Sequence, residues 1–201
     1  MSSELLWALL LFVVVTLFTP GPNNTMLMTT GLNFGFRRGL PHLWGVALGF
    51  AVMVLAVGLG LGAVFQAYPA AHTVLKYAGA AYLLYLAWQI ATAGEFKEGA
   101  ASGQPITFLE AAAFQWLNPK GWVMAVGAVS TYAAVAVFPF NMLLMAGLFG
   151  SLGTLSSATW LGFGTGLKRV LTSPGAVRAV NITMALLLVA SLWPILADAW
   201  R

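Results

Sequence analysis

A Pro-Gly-Pro motif within a long uncharged run is the feature that most constrains the fold of this chain. Residues 5–36 carry no charge, and Thr19-Pro20-Gly21-Pro22-Asn23-Asn24 lies in the middle of this run. Proline lacks an N–H donor and clashes with the preceding turn, and glycine weakens a helix further. About 20 apolar residues span a bilayer core, so the run predicts one spanning helix that is broken at depth. Broken backbone there must be buried in protein or line a cavity.

The composition indicates an integral membrane protein. Hydrophobic residues make up 60% of the chain and charged residues only 7%, whereas soluble domains have about 25% charged residues. The length of 201 residues leaves room for roughly six spanning helices. The nine basic residues are spread along the chain, so no nucleic-acid patch is expected. The chain has no cysteine, which excludes disulfides, thiol catalysis and thiolate metal sites.

Six helices are predicted in order. The first covers about residues 5–33 with its proline break, the second 40–65 and the third 70–93. The second contains Gly45 and Gly49, whose spacing predicts close helix packing in lipid. The fourth begins near residue 108 and is interrupted at Asn118-Pro119-Lys120-Gly121. A turn at residues 138–141 precedes the fifth helix, and the sixth covers about 179–197.

The two halves of the chain match. Residues 1–98 and 106–201 each contain three predicted helices, and the first helix of each half has a proline break. Residues 94–107 are the predicted linker. Three helices per half place the second half upside-down relative to the first, which makes an inverted repeat within a single transporter domain, residues 1–201. Paired broken helices at equivalent positions point to a transporter's binding site.

The basic residues predict the orientation in the membrane. Six lie in the connections between helices one and two, three and four, and five and six. They are Arg37, Arg38, Lys97, Lys168, Arg169 and Arg178. The opposite side has only Lys76 and Arg201. Basic connections face the cytoplasm, so both termini are predicted outside. The histidines, His42 and His72, are expected at the membrane interfaces.

The first break has the chemistry of an anion site. A half-helix that begins after Pro20-Gly21-Pro22 presents unpaired N–H groups and the positive end of its dipole, which suit a carboxylate. Asn23 and Asn24 add donors and acceptors for a zwitterion. The alternative is that the two asparagines only cap the half-helix.

The second break, Asn118-Pro119-Lys120, contains the one basic residue that we place inside the membrane. An ionisable group at this depth is a functional hypothesis by default. Lys120 can hold a substrate carboxylate, pair with the end of the first broken helix, or change protonation during transport. The alternative is a lysine that extends to a nearby interface.

Glu110 is the one carboxylate placed to approach the core, and it is a candidate for proton coupling together with Lys120. An interfacial position is the other interpretation of Glu110. No metal-ligand cluster, phosphate-binding loop or catalytic constellation is present in the sequence, so no metal, cofactor or enzymatic activity is expected.

Several segments together resemble the LysE/RhtB family of amino-acid exporters. They are Thr19-Pro20-Gly21-Pro22-Asn23, Gly35-Phe36-Arg37, Gly79-Ala80-Ala81-Tyr82-Leu83, Asn118-Pro119-Lys120, Trp160 and Asn181. The Pro-Gly-Pro-Asn-Asn and Gly-Ala-Ala-Tyr segments are most similar to the cysteine/O-acetylserine exporter branch. The resemblance implies six helices in the bacterial inner membrane, export driven by the proton-motive force, and dimers in some members. It also implies a substrate site at Pro20, Gly21, Pro22, Asn23, Asn118, Pro119 and Lys120.

The predicted function is secondary export of small neutral amino acids or their derivatives by a protein surrounded by membrane lipid. A passive channel or facilitator for small polar metabolites is the alternative, although the helices offer few polar side chains for a continuous lining. A membrane enzyme or a scaffold is disfavoured by the missing catalytic constellation and by the paired breaks.

Overall fold

The computed structural model describes residues 3–61, 69–92, 104–171 and 173–193. These residues form helices and connections with no strand among them, which confirms the predicted all-helical class. The helices are α1 (Ser3–Phe18), α2 (Pro22–Phe34), α3 (Phe36–Ala56), α4 (Pro69–Thr92), α5 (Phe108–Leu117), α6 (Pro119–Tyr132), α7 (Phe140–Val170) and α8 (Pro174–Ala190). A wider turn, Val57–Leu61, continues α3, and a short 3₁₀ turn, Ala133–Val135, follows α6.

Both predicted proline breaks are present. The helices α1 and α2 meet at an angle of 50°, and α5 and α6 are separated by Asn118 alone. Within the described residues, Phe36–Leu61 and Phe140–Val170 are long and apolar enough to cross a membrane, and the bent α1–α2 pair meets the same criterion if its two helices form one span. The six-helix count and the inverted repeat remain predictions.

Two helix starts differ from the predicted positions. The helix α3 begins at Phe36, four residues early, because Gly35 has a φ of 81° that turns the chain directly from α2 into α3. The helix α8 begins at Pro174 instead of about residue 179. Ser173 caps it by accepting a hydrogen bond from the Ala176 N–H at 3.2 Å, and proline suits the first turn of a helix.

The helix α7 lies at the centre of the packing, against α2 on one side and α3 on another. A Cβ at Gly164 would stand 1.9 Å from the Met28 carbonyl oxygen, and one at Gly31 would stand 2.1 Å from the Leu161 carbonyl oxygen. The backbones of α2 and α7 therefore touch, which only glycine permits.

The helix α3 approaches α5 in the same way. A Cβ at Gly45 would lie 2.4 Å from the Phe108 carbonyl oxygen, and one at Gly49 would lie 2.7 Å from the Ala112 Cα. The close packing predicted for these two glycines is confirmed. The helix α4 packs mainly against α8.

The position of His42 differs from the prediction. The sequence predicts that His42 lies at a membrane interface, but its side chain is completely buried, and its Nδ1 lies 2.9 Å from the Thr30 hydroxyl. It belongs to the α2–α3 contact because α3 begins earlier than predicted. The side chains of His72 and Lys76, and residues 94–103 of the predicted linker with Lys97, lie outside the described residues, as does Arg201.

Candidate functional site

The two breaks lie side by side and are joined by Lys120. Its ammonium group donates to the Thr19 carbonyl at 2.9 Å, to the Thr19 hydroxyl at 3.0 Å and to the Pro20 carbonyl at 3.3 Å. An ammonium has three N–H donors, so all three are engaged in this conformation. The lysine stem runs along Gly21, where a Cβ would stand 2.9 Å from the Lys120 Cδ. Of the roles open to Lys120, pairing with the end of the first broken helix is the observed contact.

The carbonyl end of α1 receives further donors from the surrounding helices. The Asn24 amide donates to the Leu17 carbonyl at 2.8 Å and to the Thr19 carbonyl at 2.9 Å. The Ser156 hydroxyl of α7 donates to the same Leu17 carbonyl at 2.9 Å. These bonds satisfy carbonyls that have no partner within α1, and Lys120 adds a positive charge at the negative end of the helix dipole.

Asn23 and Gln115 form a reciprocal amide pair between α2 and α5. The Asn23 amide donates to the Gln115 side-chain oxygen at 2.8 Å, and the Gln115 amide donates back at 3.2 Å. Gln115 is completely buried and also donates to the Ala111 carbonyl at 2.8 Å. The pair connects the first break directly to the helix that precedes the second break.

The N-termini of α2 and α6 differ in how they are capped. Asn118 precedes α6, and its side-chain oxygen accepts from the Lys120 N–H at 3.1 Å. Gly21 precedes α2, and no side chain within the described residues caps this end. The first-turn N–H groups of α2 are therefore available to a ligand.

A small cavity, here called the break cavity, lies between the two breaks. Its volume is about 40 Å³, enough for a few water molecules. It is lined by Thr16, Leu17, Gly21, Asn23, Asn24, Val46, Ala47, Phe50, Asn118, Lys120, Gly121, Met124, Phe149, Gly153, Ser156 and Ser157. One basic residue and no acid stand among these residues, so the cavity favours an anionic group.

A wider cavity, here called the outer cavity, lies between α2, α4 and the start of α5. Its volume is about 480 Å³. It is lined by Met26, Thr29, Thr30, Asn33, Phe34, Tyr82, Tyr85, Leu86, Trp88, Gln89, Ile90, Thr92, Gln104, Pro105, Ile106, Thr107 and Glu110.

The structure brings most of the predicted site residues together. Gly21, Asn23, Asn24, Asn118 and Lys120 line the break cavity. Pro20 supplies a carbonyl to Lys120, while Pro22 and Pro119 are the first residues of α2 and α6. Glu110 does not join them. It caps α5 with Thr107 and lines the outer cavity.

Sequence reasoning missed Gln115 and Ser156. A single glutamine within the apolar segment that leads to Asn118 was the available signal for Gln115. The signal for Ser156 was weaker, because serine is common in packed membrane helices. Within the described residues no group of three or more potential metal ligands occurs.

Comparison with known proteins decides the family. Residues 14–191 match the family model described as LysE type translocator. The chain belongs to the LysE family. This LysE-family chain is 35% identical over 192 residues to the cysteine/O-acetylserine efflux proteins of Escherichia coli (strain K12) and Shigella sonnei (strain Ss046). The alignment covers 94% of this chain and 96% of each relative. No solved structure matches it.

These matches confirm the resemblance drawn from the two break motifs, including its most similar branch. The matched region extends from within α1 to the end of α8 and contains both breaks. Membership of a translocator family, together with the apolar helices, makes this LysE-family chain a multi-pass membrane protein whose relatives are efflux transporters.

Proposed function

We propose that this LysE-family protein exports small neutral amino acids, with cysteine and O-acetylserine as the leading candidates, across the bacterial inner membrane. Its helices form six spans in two inverted repeats, with residues 94–107 as the linker. The observation that carries the proposal is the contact of the two breaks through Lys120. The efflux activity named for the relatives supports the direction and the substrate class.

In the proposed mechanism, the substrate carboxylate competes for Lys120. The ammonium is held by two carbonyls and a hydroxyl, and a carboxylate is a stronger acceptor than any of these neutral groups. Binding therefore moves Lys120 away from Thr19 and Pro20 and onto the substrate. The uncapped start of α2 supplies a second set of donors.

Movement of Lys120 couples substrate binding to the relative position of the two halves. With substrate absent, the lysine links the end of α1 to the start of α6, and these helices belong to different repeats. Loss of that link frees one half to rock against the other, as in alternating access. Because the break cavity holds only about 40 Å³, substrate binding also requires the two halves to separate.

Lys120 is also the proposed proton-coupling group. A lysine that alternates between carbonyl oxygens and a substrate carboxylate can release its proton when neither acceptor is present. Glu110 is the second proton-coupling candidate, but it lines the outer cavity instead of the break cavity. Substitution of each residue tests the two roles separately.

The test is counterflow in proteoliposomes. Each preparation is loaded with one unlabelled amino acid from a panel, and uptake of the same amino acid in labelled form is measured. We expect saturable exchange of O-acetylserine and cysteine by the wild type. Lys120→Ala should reduce the exchange by roughly a hundredfold or more, because a buried charge partner is lost. Arg169→Gln, a change of equal charge at the end of α7 outside the cavity, is the matched control.

Three outcomes would contradict the proposal in different ways. Flux that does not saturate or exchange would indicate a channel. Exchange that persists in Lys120→Ala would refute the role of the lysine. Absence of exchange with every amino acid, in folded protein that elutes as one species, would refute the substrate class.

A further inference from the structure

The outer cavity has the size of a ligand site, and the break cavity does not. Its volume of about 480 Å³ falls within the roughly 300–1,000 Å³ of small-molecule sites. Its walls come from the second half of α2, the end of α4 and residues 104–110. The lining residues include both aromatic side chains and side chains that carry oxygen atoms.

The outer cavity carries a single negative charge. Glu110 is the one charged residue among its described lining residues. One oxygen of Glu110, Oε2, accepts from the Thr107 N–H and hydroxyl, both at 2.8 Å. No donor within the described residues contacts the other oxygen, Oε1. A carboxylate binds a cationic N–H group well.

Aromatic rings line the same cavity as this carboxylate. Tyr82 packs against Tyr85 with ring centroids 6.2 Å apart, and Tyr85 packs against Trp88 at the same separation. All three line the outer cavity. Aromatic faces attract ammonium groups, and the attraction increases when the cation is partly desolvated. Glu110 and these rings therefore favour the same kind of ligand.

The two cavities have opposite charge, and Gln115 lies in the chain between residues that line one and residues that line the other. The break cavity contains Lys120, whereas the outer cavity contains Glu110. Gln115 follows Glu110 by five residues on α5, or about 7.5 Å along the helix, and precedes Asn118. Gln115, the partner of Asn23, thus lies in the chain between Glu110, which lines the outer cavity, and Asn118, which lines the break cavity.

We propose that the outer cavity is a first binding site for the amino acid, where Glu110 and the faces of Tyr82 and Tyr85 hold its α-ammonium group before its carboxylate reaches Lys120. This rests on the proposed export function. Phe34 and Thr92, which end α2 and α4, are lining residues. Both adjoin connections that are predicted to be cytoplasmic, the side from which an exporter takes its substrate.

The test is counterflow of O-acetylserine by Glu110→Gln. Glutamine can still accept from the Thr107 N–H, so the cap of α5 is kept while the charge is lost. We expect the KM to rise roughly tenfold with the maximal rate within about twofold, because only a binding contact is removed. Glu4→Gln, at the exposed start of α1, should match the wild type.

Tetramethylammonium chloride is the second probe, with sodium chloride at equal concentration as its control. It carries a cation without a carboxylate, so it should inhibit the wild type by occupying the outer cavity, and inhibit Glu110→Gln at least about threefold more weakly. Tyr82→Leu, which removes one ring and leaves Glu110 in place, should show the same change in inhibition.

Several results would overturn the proposal. An unchanged KM and equal inhibition in Glu110→Gln and in the wild type would show that the outer cavity does not bind the ammonium group. A lower maximal rate at unchanged KM would assign Glu110 to the transport step. A KM change seen in anionic but not in neutral lipid vesicles would indicate that lipid occupies the cavity. Failure of the wild type to exchange any amino acid would refute the proposed function itself.

Discussion

At the scale of single residues, Lys120 shows how a charge is accommodated inside an apolar protein. Its three donors meet three oxygen acceptors at the end of α1. The carbonyl end of a helix carries partial negative charge, which stabilises a cation there. Gly21 leaves room for the stem. The contacts that stabilise the lysine are neutral, and they are therefore weaker than those that a substrate carboxylate offers.

The Asn23–Gln115 pair supports a prediction about stability. Asn23→Leu leaves the side-chain oxygen of the completely buried Gln115 without its partner, and an unsatisfied buried polar group costs about 1–3 kcal/mol. Gln115→Leu should cost less, about 0.5–1.5 kcal/mol for the lost hydrogen bond, because the Asn23 amide is only half-buried. The double variant should lose less than the sum of the two, because no orphaned amide remains. The midpoint of thermal unfolding in detergent measures each effect.

Ser151→Ala is the control for these three variants, since within the described residues the exposed Ser151 hydroxyl bonds only to carbonyls of its own helix. It should change stability by less than about 0.5 kcal/mol. Strictly additive losses in the double variant would mean that the two amides do not depend on each other.

Residue types alone did not settle what each asparagine contacts. Asn23 and Asn24 are adjacent and were assigned the same alternatives from sequence, yet Asn24 bonds to the end of α1 while Asn23 bonds across to α5. Neither caps α2. Their partners come from other helices, and local sequence carries no information about which helix lies opposite.

At the scale of helices, the α2–α7 crossing depends on two glycines. Gly164 faces the Met28 carbonyl of α2, and Gly31 faces the Leu161 carbonyl of α7. Side chains at either position would force the backbones apart. Since α2 begins at the first break and α7 contributes Ser156 to the α1 end, this crossing positions the break cavity.

Gly164→Ala should therefore separate α2 from α7. The new Cβ would lie 1.9 Å from the Met28 carbonyl oxygen, and overpacking of this kind typically costs about 1–3 kcal/mol. We expect a lower unfolding midpoint and reduced exchange. Gly166→Ala is the matched control, because a Cβ there has open space around it and alanine raises helix propensity by up to about 1 kcal/mol. Equal unfolding midpoints for the two variants would show that the crossing tolerates a methyl group.

Helix ends could be predicted where the capping residues are local. The break after Phe18 followed from two prolines and a glycine, and the start of α5 at Phe108 followed from the end of the polar linker. The start of α8 lies about five residues before the predicted position, although Ser173-Pro174 is a recognisable N-cap and first turn. The basic residues near it were assigned to a connection, whereas Arg178 lies within the helix.

At the scale of the whole molecule, the predicted orientation can be tested directly because the chain has no cysteine. Single cysteines at Val137, in the exposed turn before α7, and at Gly175, at the exposed start of α8, probe opposite sides. A membrane-impermeant maleimide should label Val137→Cys in intact cells, and Gly175→Cys only after permeabilisation.

Two features make this labelling decisive. Both positions are exposed on the protein, so its own packing does not shield them from the label. Neither substitution removes a charge, so the distribution of basic residues that predicts the orientation stays intact. The reverse pattern would place both termini in the cytoplasm. Labelling of both sites from outside would mean that the chain does not cross the membrane once between Val137 and Gly175, which contradicts the prediction.

The sequence by itself determined the apolar helical class, the positions of the two breaks and the family, since each follows from local composition or a short motif. Only the tertiary structure decided that Lys120 bonds to Thr19 and Pro20, that Asn23 pairs with Gln115, and that Glu110 faces a separate cavity. These contacts join residues about a hundred positions apart or lie between different helices. They depend on which helices pack together, and glycine contacts such as that of Gly164 with Met28 establish this packing.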